Sequence, residues 1–255
     1  MNDCIKTLMS HRSYRKYIEK EVDDKDLNII LSAAQAAPSW IHGQQVSIIT
    51  VKEKTRKTKL AELCGNQEHI KQAPVFLLFC ADFYRAKLAS ELEGNSFEAI
   101  DDIDSVIVGA TDVGIALANA ITAAESLGLN IVPIGGIRRN PLEVITLLEL
   151  PKYVIPISGL CIGYGTEDPG LNPRLPKEAV IHSEQYNHEQ MNYLNQYNET
   201  YREDQLKKGN KDVTWTKRIS EFYRASHYNN QYADVPEMLR QQGFLCKDVK
   251  KDGAV

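Results

Sequence analysis
The sequence predicts a globular chain of mixed helix and short strand, organised around one buried helix. Three observations predict it. The stretch 103–140 opens with a helix that is apolar or small on nearly every side, from Val106 to Leu127, and a helix apolar all round is a buried one. The run 73–81 (APVFLLFCA) is continuously apolar, as in a central strand covered on both faces. A second short strand, Asn130 to Ile134, runs straight into Gly135-Gly136.

The other elements follow in order. Ile5, Leu8 and Met9 share one face of a helix over 3–10. The segment His11-Arg12-Ser13-Tyr14-Arg15-Lys16-Tyr17 joins guanidinium forks to a hydroxyl donor, which is either an anion site or a solvated basic face. Asp23 caps a second helix with Leu27, Ile30, Leu31 and Ala34 as its buried stripe, and Pro38 stops it. The loop Ala37-Pro38-Ser39-Trp40-Ile41-His42-Gly43-Gln44-Gln45 is dense in hydrogen-bonding groups, and its Trp40 either plugs the core or covers a ring.

A strand over 46–51 and a polar helix over 55–63 come next, then Gln67-Glu68-His69, the central strand, and a helix over 82–92. Gly128 sits where a helix C-cap glycine belongs. Gly135-Gly136 is either a simple turn or bare backbone that something flat can approach. Asn140-Pro141-Leu142-Glu143 reads as a capping box. A strand over 153–164 carries Pro156, which marks an edge or a bend. From about Ile181 the chain turns polar and helical, with Tyr186, Tyr193, Tyr197 and Tyr201 at helical spacing. Lys207-Lys208-Gly209-Asn210-Lys211 reads as a basic loop, helices are expected over 216–224 and 235–242, and a charged tail closes the chain.

With 255 residues, 43% hydrophobic and 25% charged, the chain is one large domain or two small ones. A net charge of -4 gives no bulk attraction for nucleic acid or an anionic membrane. Five scattered cysteines without CxxC spacing fit a reducing compartment and no zinc site. Asp3 and Lys6 interrupt any signal-peptide core. Asp112, Asn119 and Glu125 speak against a membrane span in the central helix. A cytoplasmic protein is expected, with no metal.

Three separated segments share one chemistry. His11 to Arg15 offers a phosphate site, Ser39 to Gln44 a polar ring edge, and Gly135-Gly136 backbone N–H groups for a flat face; Arg174 adds a cation. Together they suit a flavin mononucleotide. No GxGxxG, Walker or HExxH motif is present.

The segments HRSYRKY, AAPSWIHGQQ, NQEHI, IVPIGGIRRN and LCIGYGTEDPGLNPRLP, in this order, resemble the nitroreductase superfamily, most closely its NADPH-dependent FMN reductase and oxygen-insensitive nitroreductase A branch. The resemblance runs from about His11 to Arg224. It implies an α+β fold with a central, mostly antiparallel sheet flanked by helices, and an intertwined homodimer holding FMN at its interface. It implies an FMN-binding core over 1–180 and a helical extension over 181–255 that packs on the core and the partner subunit. The implied activity is ping-pong, two-electron transfer from NADPH (or NADH) through FMN to free flavin, nitroaromatics or quinones; the alternative is an FMN-binding redox partner with little turnover of its own.

Residue by residue, the resemblance makes His11, Arg12, Ser13 and Arg15 the first FMN segment, with Arg15 at the pyrimidine edge where a cation favours hydride uptake. Ser39, Trp40 and Gln44 belong to the segment lent by the second subunit, and Gln67 reaches the pyrimidine. Ile134, Gly135 and Gly136 meet the ring, with the Gly135 N–H at its N5. Arg174 binds the phosphate, and Lys207, Lys208 and Lys211 meet the NADPH 2′-phosphate. Three residues depart from the family pattern. Trp40 stands where Ser is usual, His42 where Asn or an apolar residue is usual, and Asn172 where a phosphate-binding Lys is common.

Overall fold
The structure is a computed structural model that describes residues 1–249; the end of the charged tail, 250–255, lies outside the described residues. In chain order the elements are α1 (Asp3–Met9), α2 (Asp24–Gln35), β1 (Val46–Val51), α3 (Lys54–Leu63), α4 (Glu68–Gln72), β2 (Val75–Asp82), α5 (Tyr84–Leu92), α6 (Ile103–Ser126), β3 (Asn130–Ile134), α7 (Pro141–Leu147), β4 (Val154–Gly163), α8 (Met191–Lys207), α9 (Trp215–Phe222), α10 (Ala225–Gln231) and α11 (Val235–Gln241). They form two compact units: Met1–Pro169 with the segment from Tyr232 onward, and Gly170–Gln231.

The first unit is α+β. Its sheet has the order β1-β2-β4-β3, and each pairing is antiparallel. Every residue of β2 is buried, and the pleat sends its side chains alternately to two cores. Val75, Leu77, Phe79 and Ala81 join α2 and α6 on one face. Phe76, Leu78 and Cys80 join α3, α4 and α7 on the other. Helices on both faces explain why this strand reads as an unbroken apolar run.

Several expectations need correction. Within one chain, the central helix α6 is not buried all round. Ser105, Gly109, Asp112, Val113, Ala116, Ala120 and Ala124 face inward, while Ile107 is 57% exposed and Ile115, Ala110, Gly114 and Ala118 also face outward. A single sheet and α2 cover one side of a helix, so the apolar outer stripe has no cover within one chain.

The strand carrying Pro156 is central rather than an edge. Pro156 is tolerated because the β2–β4 register shifts between Phe79 and Cys80, and a bulge is where a sheet accepts Pro. Ile157 is the extra residue there, and its carbonyl accepts from Arg138 Nη1 at 2.6 Å.

Asn140 precedes α7 but makes no side-chain cap; its Nδ2 donates instead to the Leu63 carbonyl at 2.6 Å. Gly135-Gly136 opens a 3₁₀ turn, Gly135–Arg138, and is not a simple reversal. Two short helices, α4 and α10, are additional to the elements expected. Gly128 does follow α6 with φ +77, as a C-cap glycine should.

In the second unit, Tyr186 lies ahead of α8 and is exposed. Tyr197 is the buried member of the tyrosine series. It packs edge-on to Trp215 and donates its hydroxyl to the Pro173 carbonyl at 3.0 Å. The stripe is therefore packing at this position.

Candidate active site
The first expected segment lies along β3. Ser13 bridges to Ile131, and the Tyr14 N–H donates to the Ile131 carbonyl at 2.9 Å. This covers the outer edge of β3 and brings residues 11–15 beside the strand that leads into Gly135. His11 Nδ1 lies 2.7 Å from Glu125 Oε1 on α6. The Arg12 guanidinium is already engaged, with Nη1 on the Ser10 carbonyl at 3.0 Å and Nε 2.9 Å from Asp168. Arg15 is exposed, with one long bond from Nη1 to the Ser13 carbonyl at 3.4 Å.

The two glycines differ sharply. A Cβ on Gly136 would lie 2.4 Å from Gln67 Nε2 and 2.6 Å from the Cys64 carbonyl oxygen. Gly136 is therefore demanded by internal packing. A Cβ on Gly135 would meet nothing nearer than Arg138 Nη2 at 3.8 Å. Gly135 is exposed, so it leaves bare backbone that a flat ring can approach.

Gln67 stands beside this glycine pair, its Nε2 bonded to the Cys64 carbonyl at 2.8 Å. Two residues further on, the His69 Nε2 is buried with no hydrogen-bond partner. Burial, and then the Arg15 cation, hold the His69 imidazole below its ordinary value. The same Arg15 charge is felt by Tyr17. Arg15, Gln67, His69 and Ile134 to Gly136 thus form one neighbourhood. Cys64 beneath it is inert, since burial pushes its thiol up to about 12.

Ser39, Trp40 and Gln44 are not brought there. Their loop precedes β1, whereas Gly135 follows β3, and these are the two opposite edges of the sheet. Three strand spacings separate them, about 14 Å. The loop has an unusual backbone: Ile41, His42 and Gln44 all have positive φ, at 49, 57 and 54°. For non-glycine residues, and for a β-branched one above all, this is a strained region. Ser39 Oγ accepts from the Gln44 N–H at 3.0 Å, and Asp112 Oδ1 on α6 accepts from the Trp40 N–H at 3.1 Å. Arg85 Nη2 reaches the carbonyls of Gln44 and Val46 at 2.7 and 2.9 Å.

Asn172, Arg174 and the lysines belong to the second unit. Arg174 is exposed and its Nη1 folds back on the Asn172 carbonyl at 2.8 Å. The basic stretch is only partly a loop, because α8 continues through Lys207 and Lys208 caps it. Pairs one turn apart, Glu203–Lys207 and Asp204–Lys208, favour that extension. The Lys208 ammonium is held by Asp204 Oδ2 and Asn172 Oδ1, both at 2.9 Å. Lys211 lies beyond the helix and is exposed.

Sequence reasoning missed Glu125, Arg85 and Asp112 as partners of the candidate residues. The available signal was an acid inside an apolar helix, which for Asp112 and Glu125 was read solely as evidence against a membrane span. Among the described residues no His, Cys, Asp or Glu cluster suited to a metal occurs.

A four-stranded antiparallel sheet with helices on both faces defines an α+β protein, and its Gly135 edge is open beside Gln67. The chain belongs to the nitroreductase family: the family model matches residues 8–164, and the model of the family's C-terminal domain matches residues 172–247. It is 49% identical to the FMN reductase [NAD(P)H] of Bacillus subtilis, over 96% of this chain and 98% of that protein. It is 36% identical to the oxygen-insensitive NADPH nitroreductase of Salmonella typhimurium, over 97% of this chain and 100% of that protein. The solved structure of B. megaterium NfrA2 matches with a TM-score of 0.92 at 48% identity, covering 96% of this chain and 98% of that one.

Proposed function
We propose that the protein is an FMN-dependent NAD(P)H oxidoreductase that reduces free flavin, nitroaromatics or quinones. The observation that carries this reading is the bare Gly135 backbone with Gln67 and the Arg15 cation in its neighbourhood. These residues fit the group: an open face for a flat ring, an amide for its polar edge, and a cation where negative charge grows. Bound here, FMN would supply two-electron hydride chemistry between the nicotinamide and the acceptor.

In this reading the chain's own residues bind and orient. Gly135 offers its backbone to the ring, with its N–H toward N5, and buried Ile134 and Gly136 hold it in place on either side. Gln67 and Arg15 hold the pyrimidine edge, and His11, Arg12 and Ser13 hold the phosphate side. Glu125 orients His11 through Nδ1. Lys207, Lys208 and Lys211 serve the 2′-phosphate of NADPH, with Lys208 tied to Asn172 and Asp204.

The same reading makes the protein a cytoplasmic homodimer with a flavin at the interface. One chain carries the Gly135 segment and the 39–44 loop on opposite edges of its sheet, so Ser39, Trp40 and Gln44 serve the flavin of a second copy. The outward stripe of α6 around Ile107 and Ile115 supplies the apolar contact, with 1–180 as the FMN-binding core and 181–255 as the extension.

The test is an anaerobic absorbance spectrum before and after NADPH, then NADH. Yellow protein that bleaches faster with NADPH supports the enzyme and the 2′-phosphate lysines. Equal bleaching keeps the enzyme and removes the lysine assignment. Flavin that bleaches with neither turns the reading toward a partner-dependent redox protein, and colourless protein that takes up no FMN ends it.

A further inference from the structure
We infer that Asp112 and Arg85 are positioning residues that clamp the 39–44 loop in its left-handed conformation, and so fix the placement of Trp40; the inference rests on the flavin reading above.

Three features lead to it. The loop holds three non-glycine residues at positive φ within four positions, a backbone that persists only where its surroundings over-determine it. Packing within the chain does not supply that constraint. Taken over one chain, Trp40 is 55% and Ile41 74% exposed, and behind the loop lies a cavity of about 550 Å³ lined by Ser39, Gln44, Arg85 and Asp112.

Hydrogen bonds from two other elements do supply it. Asp112, 2% exposed, accepts the Trp40 N–H at one end of the loop. Arg85 takes the Gln44 carbonyl at the other. Arg85 is in turn seated by Asp82 Oδ2 at 2.8 Å and Ser47 Oγ at 3.0 Å. Asp112 Oδ2 is buried and unpartnered. An acid kept in an apolar helix at that desolvation cost, with a single bond to a loop backbone, is there for the loop. A loop ordered in advance does not charge its ordering entropy to the ligand.

The experiment uses full-length protein in a Trp215→Phe background, where Trp40 is the remaining tryptophan. Trp40 anisotropy and acrylamide quenching are read without flavin, and FMN affinity by titration, for Asp112→Ala, Asp112→Asn and Arg85→Met. The expected result for Asp112→Ala is a more mobile, more quenchable Trp40 and FMN binding about tenfold weaker, the size of losing one hydrogen bond to a charged group. Asp112→Asn keeps an acceptor oxygen and restores both readouts to within about threefold of wild type. Folded Asp112→Ala protein with unchanged Trp40 mobility and FMN affinity overturns the clamp, as does an Asn variant no better than Ala. Should Asp112→Ala not fold, the exposed Arg85→Met decides by the same two readouts. If the parent protein binds no FMN, the flavin reading fails, while Trp40 mobility still judges the clamp.

Discussion

Alanine substitution at two adjacent glycines has opposite consequences. At Gly136 the new methyl would sit 2.4 Å from Gln67 Nε2 and 2.6 Å from the Cys64 carbonyl oxygen. The glutamine amide can swing away, with loss of its 2.8 Å bond to that carbonyl. The carbonyl cannot move as easily. Cys64 is buried at the C-cap of α3, and its own N–H is tied to the Leu60 carbonyl at 2.8 Å. Overpacking costs about 1–3 kcal/mol and the lost hydrogen bond about 1 kcal/mol. A total of about 3 kcal/mol lowers Tm by about 6–12 °C in a domain of this size.

At Gly135 the nearest atom is 3.8 Å away, an ordinary contact, and φ is not positive. Gly135→Ala then leaves Tm unchanged or slightly raised, since alanine narrows the unfolded ensemble by about 0.4–1 kcal/mol. Its methyl occupies the space left for the ring, and FMN binding weakens about tenfold or more. Thermal melts of FMN-free protein and FMN titrations of both variants make the test. The reasoning is refuted if Gly136→Ala melts within about 2 °C of wild type, or if Gly135→Ala keeps wild-type FMN affinity.

Arg15→Ala should lower the flavin midpoint potential and slow reduction by NADPH without changing the melt, because Arg15 is exposed and weakly bonded; an unchanged stopped-flow rate would remove its electrostatic role. His69 is held below its ordinary 6.5 by burial and Arg15, so as pH falls through 6.5 the unfolded chain takes up the proton first and stability drops until the lower folded value is passed. His69→Gln removes that acid-side loss, and a stability gap between wild type and variant that widens in wild type's favour from pH 7.5 to pH 5 would contradict it. On the proposed homodimer, Ile107→Glu places a charge on the outward stripe of α6 and should shift the sedimentation coefficient from dimer to monomer; a dimer that persists at micromolar concentration would count against that face.

Much of the fold was legible because local rules and tertiary rules agree there. The β2 run is apolar throughout since both of its faces are covered, and Asp23 and Gly128 bound their helices as isolated segments would. Prediction failed where a distant partner outweighed a local preference. Asn140 bonds the Leu63 carbonyl instead of capping its own helix. Pro156 lies inside the sheet because a bulge in β4 accepts it. The candidate residues were legible by chemical type, and their supports were not: Asp112 and Arg85 acquire meaning only from a loop many residues away.

What the sequence by itself determined is the set of elements, the apolar centre, the polar segments and the family, all of which are written in periodicity and motif. Tertiary structure alone decided three things. It gave the two glycines different roles, because the Cys64 carbonyl lies against one and open space against the other. It left the outer stripe of α6 uncovered, because one sheet and one helix can shield only a single side. It set the Gly135 segment and the 39–44 loop on opposite edges of one sheet, because antiparallel pairing orders strands by hydrogen bonding across the sheet and not by their closeness in the chain.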